Sequence, residues 1–291
     1  MSLRETTREA EEGELLQAAP PGRSYESLRR HFDCERAIAQ RLQGADRETR
    51  KQIYATMYDE LFAAVPDHSR LTRRADESLT LRSIDRKTRL LRPFMRPAAT
   101  LLEFGSGDCR FALAMTRHFG QVEAIDISDQ IAPGTERPKN FRLTVYDGYT
   151  LKLPEESVDV AFSDQLIEHL HPDDTADHLK LVQRLLKPGG LYLIRTPHRL
   201  TGPHDVSRFF SDKAQCFHLK EWSYGELTAE LRKLGYGSIR TYWFGKGVML
   251  RLPRAAFSVI EALGRLLPLR SRRRLLPFLM PGIVIAAGKR P

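Results

Sequence analysis

The most constraining feature of this chain is an apolar run that breaks at an acidic residue into a glycine turn and then continues with helical periodicity. The run begins at Leu101, contains Glu103, and turns through Gly105 and Gly107. The next residues, 111–115, have the apolar pattern of a helix start. The two glycines let the backbone approach a ligand and expose N–H groups at the helix N-terminus. The carboxylate of Glu103 repels a phosphate and suits a hydroxyl or ammonium ligand.

A second short strand is predicted over residues 121–126, and it ends in an acid. This acid, Asp126, follows the glycine turn by about 20 residues, where a carboxylate that binds ribose is expected. A dinucleotide-binding turn would carry a third glycine at the position of Arg110. The pattern therefore favours a nucleoside-binding βαβ unit and disfavours a pyrophosphate ligand.

Further motifs follow in a fixed order. The segment 145–148 reads Val-Tyr-Asp-Gly, and residues 157–163 have the composition of a buried strand. Residues 165–170 read Gln-Leu-Ile-Glu-His-Leu, and residues 185–194 predict a helix end, a Pro-Gly-Gly turn and a fifth strand. In this order and spacing, across about 95–245, the chain resembles the class I S-adenosylmethionine-dependent methyltransferases.

The resemblance implies S-adenosylmethionine as the cofactor, and it implies a set of residues that bind it. In this family the Asp of the third motif, here Asp147, contacts the adenine amine. The implied cofactor-binding residues are Glu103, Gly105, Ser106, Gly107, Asp126, Ile127, Asp147, Gly148 and Ser163.

The implied fold is an α/β doubly wound sheet of seven mostly parallel strands. The sixth strand is placed at 238–243, and the last strand, at 282–287, runs antiparallel to the rest. The cofactor is expected at the carboxyl ends of the first strands.

We expect four regions along the chain. A charged arm over 1–24 is predicted to be disordered. Residues 25–95 have helical periodicity and form a lid or cap, on which Tyr54 and Tyr58 are candidates for lining the pocket. Residues 96–291 form the methyltransferase domain, which includes a helical insertion at 251–281.

The insertion carries most of the surplus positive charge. The chain has a formal net charge of +9, and seven arginines lie between Arg251 and Arg274 against the single acid Glu261. Apolar residues recur there at helical spacing, which predicts a basic amphipathic helix. Such a helix can lie on an anionic membrane surface, or it can pack its apolar stripe on the sheet with the arginines solvated. Nucleic-acid binding is not favoured, because no aromatic stacking motif accompanies the arginines.

Histidines near the expected methyl site are the candidate catalytic residues. Methyl transfer is an in-line displacement, and a hydroxyl acceptor must also lose a proton to a base or a metal-bound group. His169 or His218 is the leading candidate for the base. An amine acceptor needs only its neutral form.

Two metal-using methyltransferase subgroups give a sharper comparison, the ubiquinone-type O-methyltransferases and the small-RNA 2′-O-methyltransferases. Their metal ligands match Gln165, Glu168, His169 and, less securely, His218. An amide is a weaker ligand than a carboxylate for a hard cation, so Gln165 makes a functional divalent metal a secondary hypothesis, with Glu168, His169 and His218 as its ligands.

The sequence therefore predicts a methyltransferase that acts on a hydroxyl of a small-molecule, glycan or lipid-linked acceptor in bacterial secondary or envelope metabolism. The alternatives are an N-methyltransferase acting on an amino sugar or small amine, and a non-catalytic scaffold that docks on a membrane or partner. The polar N-terminus, the lack of an apolar run of about 18 residues, and three scattered cysteines predict a cytoplasmic location, with optional peripheral contact at the inner face of the membrane. The oligomeric state is not indicated.

Overall fold

The computed structural model describes residues 22–290, apart from the side chains of 73–75. The arm predicted for 1–24 falls almost entirely on residues 1–21, which lie outside the described residues. The helices are α1 (Tyr25–Gly44), α2 (Arg47–Ala64), α3 (Ser69–Ala75), α4 (Glu77–Leu91), α5 (Arg110–Met115), α6 (Pro172–Leu185), α7 (Tyr224–Lys233), α8 (Arg254–Leu266) and α9 (Leu269–Leu279). The strands are β1 (Thr100–Phe104), β2 (Gln121–Asp126), β3 (Phe141–Val145), β4 (Val158–Asp164), β5 (Leu186–Thr196), β6 (Ser238–Gly245), β7 (Val248–Leu252) and β8 (Ile283–Gly288).

The strands form one sheet in the order β3-β2-β1-β4-β5-β8-β6-β7. The first five strands in this order are parallel, whereas β8 is antiparallel to both of its neighbours, β5 and β6. The predicted α/β class, with a mostly parallel sheet and an antiparallel last strand, is confirmed. In the sheet, β2 and β3 lie on one side of β1, and β4 and β5 lie on the other. The carboxyl ends of β1, β2 and β4 therefore border the crevice where ligands bind in such sheets.

The described sheet has eight strands, one more than the seven predicted. The additional strand, β7, forms an antiparallel hairpin with β6. The turn between them contains Lys246 and Gly247, whose φ angles are +50° and +78°. Residues 251 and 252 therefore belong to a strand, although helical periodicity placed them in the basic helix.

The predicted basic helix is two helices, α8 and α9. The break lies at Leu267 and Pro268, where the proline has no amide to continue the helical hydrogen bonds. Phe257 of α8 is fully buried and stacks on Tyr224 of α7, with ring centroids 3.9 Å apart. One side of the helix pair is thus packed on the body of the protein, as one of the two sequence hypotheses expected.

The predicted Pro-Gly-Gly turn after α6 is instead part of β5. Helix α6 ends at Leu185, and β5 begins at the next residue. The pairing of β5 with β4 shifts register near Val158, and Gly189 has a φ of +75°. The glycine therefore accommodates an irregularity in the strand and does not separate the helix from the strand.

Helices α1 and α2 form a cap with a small apolar core of its own. Tyr54, Met57 and Leu61 of α2 are buried in it, and Ile53 and Tyr58 are partly buried against it. Phe217, from the long segment after β5, is buried in the same cluster. The cap is therefore packed against the segment that carries His218.

Candidate active site

A cavity of about 320 Å³ lies at the carboxyl ends of β1, β2 and β4, a volume in the range of small-molecule sites. The glycine turn, Asp126, His169 and residues of the N-terminal helices all line it. Tyr54 and Tyr58, which the sequence indicated as candidates, both line it. The predicted cofactor-binding and catalytic residues that line it are Gly105, Ser106, Gly107, Asp126, Ile127, Gly148 and His169.

The glycine turn is held by the end of β2. Gly105 and Gly107 have φ angles of +69° and +57°, a region that favours glycine. The amide of Gly105 donates to the carbonyl of Ile125 at 2.9 Å, and the amide of Gly107 donates to Oδ2 of Asp126 at 2.7 Å. A Cβ on Gly105 would lie 3.3 Å from Cδ1 of Leu166. The turn is therefore fixed close to the cavity, and its glycines leave room there for a ligand.

Asp126 has a structural role in addition to its predicted one. Its Oδ1 accepts hydrogen bonds from the amides of Ile127 and Ser128, at 2.8 and 3.3 Å. Burial raises the pKa of this carboxyl, while the backbone amides around it act in the opposite direction. The side chain joins the end of β2 to the glycine turn and also faces the cavity.

Asp147 lies at a neighbouring cavity of about 330 Å³. The two cavities share Tyr54, Ile127 and Tyr146 as lining residues, so they adjoin. The carboxylate of Asp147 pairs with Lys51 of α2 at 2.6 Å. Although burial acts to raise it, the pKa of Asp147 is lowered to about 2 by hydrogen bonds from Lys51 and from two backbone amides.

Glu103 and Ser163 do not line either of these cavities. Glu103 is almost fully buried and pairs with Lys87 of α4 at 3.1 Å; burial raises its pKa to about 7, partly offset by Lys87. It is Lys87 that lines the cavity. The hydroxyl of Ser163 is buried against the hydroxyl of Tyr192 at 2.7 Å. The structure therefore places the side chain of Lys87 between the cavity and Glu103.

Glu168, His169 and His218 come together, although His218 is far from the other two along the chain. Their candidate ligand atoms lie within 4.8 Å of one another, and the two imidazole rings pack edge to face at 4.9 Å. His169 lines the cavity, whereas Glu168 and His218 lie behind it. Of the two predicted bases, only His169 can contact a ligand in the cavity directly.

Each member of this cluster is oriented by a partner. Nδ1 of His169 lies 3.0 Å from the carbonyl oxygen of Phe217, which assigns the proton to Nδ1 and leaves the lone pair on Nε2. Nδ1 of His218 lies 2.8 Å from Oε1 of Glu221. The hydroxyl of Thr196 donates to Oε2 of Glu168 at 2.9 Å. Both imidazole rings are therefore oriented by hydrogen bonds at Nδ1, and neither of these bonds involves Nε2.

The electrostatics of the cluster separate the two histidines. Burial, together with the nearby charges of His218 and Arg70, lowers the pKa of His169 to about 3, so its imidazole is neutral at pH 7. Burial also acts on His218, but Glu221 and Glu168 outweigh it, and the pKa of His218 is raised. Burial raises the pKa of Glu168 to about 7, against the opposing effect of His218.

These residues fit a divalent cation in one respect. Oε1 of Glu168 is buried and has no hydrogen-bond partner among the described residues, and oriented histidines are the usual companions of such a carboxylate in metal sites. The positively charged Arg70 nearby and the amide of Gln165 on the cavity wall act against a hard cation.

Two residues that line the cavity were not expected from the sequence. They are Arg70 of α3 and Lys87 of α4, on the helices that follow the cap. The guanidinium of Arg70 lies over the ring of Tyr58 at 4.6 Å. Among residues 22–290, no carboxylate oxygen forms an ion pair with it within 4.0 Å. Helical periodicity identifies the buried apolar face of a helix. It does not indicate which positively charged side chains the fold brings to a cavity.

Comparison with known proteins agrees with the fold and the cavity. Residues 102–194 match the family model of a methyltransferase domain. A probable S-adenosylmethionine-dependent methyltransferase of Mycolicibacterium smegmatis is 36% identical over 114 residues, which cover 38% of this chain and 42% of the relative. One of Mycobacterium tuberculosis is 31% identical over 156 residues, which cover 53% of this chain and 54% of the relative. The chain thus spans about half the length of the curated relatives it matches.

Among solved structures, the 1,6-didemethyltoxoflavin-N1-methyltransferase of Burkholderia thailandensis, with its substrate and S-adenosylhomocysteine bound, has a TM-score of 0.54 and is 16% identical. The likeness covers 85% of this chain and 92% of that one, and it shows the fold. The family match shows a methyltransferase domain at residues 102–194, and the relatives that the chain resembles are probable S-adenosylmethionine-dependent methyltransferases. S-adenosylmethionine is the cofactor of this class.

No helix in the described part of the chain has the length and apolar character needed to cross a bilayer.

Proposed function

We propose that the protein transfers the methyl group of S-adenosylmethionine to a hydroxyl of a small-molecule, glycan or lipid-linked acceptor. The supporting observation is that a single cavity is lined by the glycine turn, Asp126 and His169. Cofactor and acceptor can therefore meet in one cavity, as an in-line displacement requires.

The residues of the proposed cofactor half act by holding and orienting. Gly105 and Gly107 give the cofactor close access to the backbone, and the carboxylate of Asp126 accepts hydrogen bonds from ribose hydroxyls. Asp147 lies toward the adjoining cavity, where an adenine amine would reach it. When bound, S-adenosylmethionine supplies a methyl group on a sulfonium, which is activated for displacement.

His169 is the proposed base. Its Nδ1 proton is directed to the carbonyl of Phe217, so the lone pair of Nε2 is available to the acceptor side of the cavity. The acceptor hydroxyl would give its proton to Nε2 as its oxygen bonds to the methyl carbon, and the bond from that carbon to sulfur would break, with S-adenosylhomocysteine as the leaving group. His218 and Glu221 support this role by fixing the neighbouring ring.

Arg70 favours an acceptor with an anionic or strongly polar group. It is a guanidinium on the cavity wall, and its described neighbours leave it without a paired carboxylate. Burial is the main cause of the low pKa of His169, and the charge of Arg70 adds to it. An anion bound to Arg70 would weaken that added effect and make the imidazole a stronger base.

The proposed function is tested in two stages. Calorimetry measures the binding of S-adenosylmethionine and S-adenosylhomocysteine to the purified chain, and incubation with methyl-labelled cofactor then screens hydroxyl and amine acceptors. We expect binding of both ligands and label transfer to an oxygen. A folded protein that binds neither ligand would contradict the proposal and favour the non-catalytic scaffold.

The substitution Asp126→Ala tests the cofactor half. Removing charge-assisted hydrogen bonds to the ribose should weaken binding of S-adenosylhomocysteine by about 1.5–3 kcal/mol. Asp129→Ala is the matched control, because this nearby acid is exposed and pairs with Arg137 at 3.1 Å. Unchanged affinity in a folded Asp126→Ala protein would remove this residue from the cofactor site.

Chelation tests whether turnover needs a metal. We expect the rate to be unchanged after treatment with a chelator, because His218 already faces the carboxylate of Glu168 and its raised pKa favours a positive charge there. A loss of activity that Mg²⁺ or Mn²⁺ restores would instead assign Glu168, His169 and His218 as ligands. In that case the cation would act as a Lewis acid at the acceptor oxygen.

A further inference from the structure

Helices α8 and α9 present an apolar surface that the fold does not bury. Six of their side chains are more than half exposed, and two of them, on Leu266 and Phe278, are 81% and 76% exposed. This docking face consists of Val259, Leu263, Leu266, Leu275, Phe278 and Leu279. Clustered exposed apolar side chains of this kind mark interaction sites in soluble proteins.

The docking face is supported from behind. Phe257 is fully buried against Tyr224. A Cβ at position 264 would lie only 2.8 Å from Cδ1 of Leu276, so Gly264 allows α9 to pack closely on α8. The side of the helix pair that carries Phe257 and Leu276 is therefore already packed against the protein. The six exposed side chains lie outside that packing, and a surface for another molecule remains.

The charge beside the docking face is positive. Exposed arginines lie on the same two helices at positions 254, 265, 270 and 274, and another lies at position 251 in the preceding strand. The single acid of residues 251–281, Glu261, is buried and directed inward, where it lies 2.9 Å from Nε2 of His198 and accepts a hydrogen bond from the amide of Tyr224. Arginines beside bulky apolar side chains complement anionic headgroups above an acyl layer. A nucleic-acid phosphate backbone would leave the apolar side chains unsatisfied.

The docking face is also connected to the loops of the candidate active site. Arg273 pairs with Asp212 at 3.1 Å and donates from Nε to the carbonyl of Gly202 at 3.3 Å. Both partners lie in the segment after β5, which also carries His218. Helix α9 is therefore tied to the segment that carries His218.

We propose that α8 and α9 dock the protein peripherally on an anionic lipid bilayer, with the docking face in the acyl boundary and the exposed arginines at the headgroups. Docking would bring the loops after β5 to the membrane surface. That last placement rests on the proposed function and suits an acceptor that is itself linked to a lipid.

Vesicle flotation tests the proposal with the full-length chain. The probes are vesicles of phosphatidylcholine alone and of phosphatidylcholine with phosphatidylglycerol. We expect the protein to float with the anionic vesicles, to stay in solution with the neutral ones, and to float less as salt is raised. Failure to float with the anionic vesicles would overturn the proposal.

Three variants sharpen the test. Leu266→Ser with Phe278→Ser should abolish flotation, and Arg270→Gln with Arg274→Gln should greatly reduce it. The control, Leu79→Ser with Leu81→Ser, removes two exposed leucines of α4 and should leave flotation unchanged. All four positions in α8 and α9 are exposed, so the melting temperatures should stay close to that of the unaltered chain.

Two results would count against lipid docking. Flotation that survives Leu266→Ser with Phe278→Ser would remove the docking face from the interaction. A concentration-dependent dimer, seen by light scattering and abolished by the same pair, would identify the face as a contact between copies of this chain. Because flotation requires neither cofactor binding nor turnover, its failure is distinguishable from failure of the proposed methyltransferase function.

Discussion

His169→Gln is expected to lower kcat by roughly 10²–10⁴-fold, the usual contribution of a positioned general base. Glutamine has no basic nitrogen, but its amide can still donate to the carbonyl of Phe217, so the local fold should be kept. Cofactor affinity should not change comparably, because the proposed cofactor contacts are made by the glycine turn and Asp126 and not by His169. The measurement is steady-state turnover of the acceptor found by label transfer, with cofactor binding followed by calorimetry.

His118→Gln is the matched control, since this histidine is exposed and does not line the cavity. His218→Gln distinguishes the two bases that the sequence proposed, and we expect a smaller loss because His218 lies behind His169. A larger loss for His218 would show that the base is misassigned. A negligible loss for His169 with an amine product would favour the N-methyltransferase alternative, because a neutral amine needs no base.

Arg50→Ala is expected to lower the free energy of unfolding by about 3–5 kcal/mol, the cost of leaving one buried charge without its partner. Arg50 of α2 donates from Nε and from a terminal nitrogen to the two carboxylate oxygens of Asp174 of α6, at 2.8 and 2.6 Å. Both side chains are less than one-tenth exposed. This pair joins the cap to the sheet domain, and Tyr149 also donates to Asp174 at 2.8 Å.

Arg47→Ala provides the control within the same two helices. Arg47 pairs with Asp177 at 3.3 Å, but both side chains are about half exposed, and such pairs contribute about 1 kcal/mol or less. Urea unfolding of both variants measures the difference, and hydrogen exchange of α1 and α2 shows whether the cap opens first. Equal losses for the two variants would contradict a special role for the buried pair.

The succession of strands along the chain and the glycine turn that lines the cavity were accessible from the sequence. A glycine turn, a strand that ends in Asp126 and the Asp147-Gly148 motif are local patterns, because each requires only neighbouring residues to adopt a given backbone shape. The extra strand β7 and the break between α8 and α9 were not predicted. Helical periodicity continued across both, and the turn at Gly247 and the proline at 268 decided the outcome.

The acceptor half could be predicted only in part. His169 and His218 were named from their positions after strands, but only packing showed that one lines the cavity and the other orients it from behind. Lys87 was missed, and it covers Glu103, which had been expected to face the cofactor. The resemblance gave Ser163 a cofactor role, while the fold pairs it with Tyr192.

The sequence by itself determined the class of fold, the glycine turn, the carboxylate at the end of β2 and the excess of arginines near the C-terminus. These depend on backbone conformation and composition, which short segments encode. Only the tertiary structure decided that Arg70 reaches the cavity, that Arg50 meets Asp174 across 124 positions of the chain, and that six apolar side chains of α8 and α9 remain exposed. Contacts between distant segments and the burial of each side chain depend on how helices pack against the sheet, and no local pattern specifies that packing.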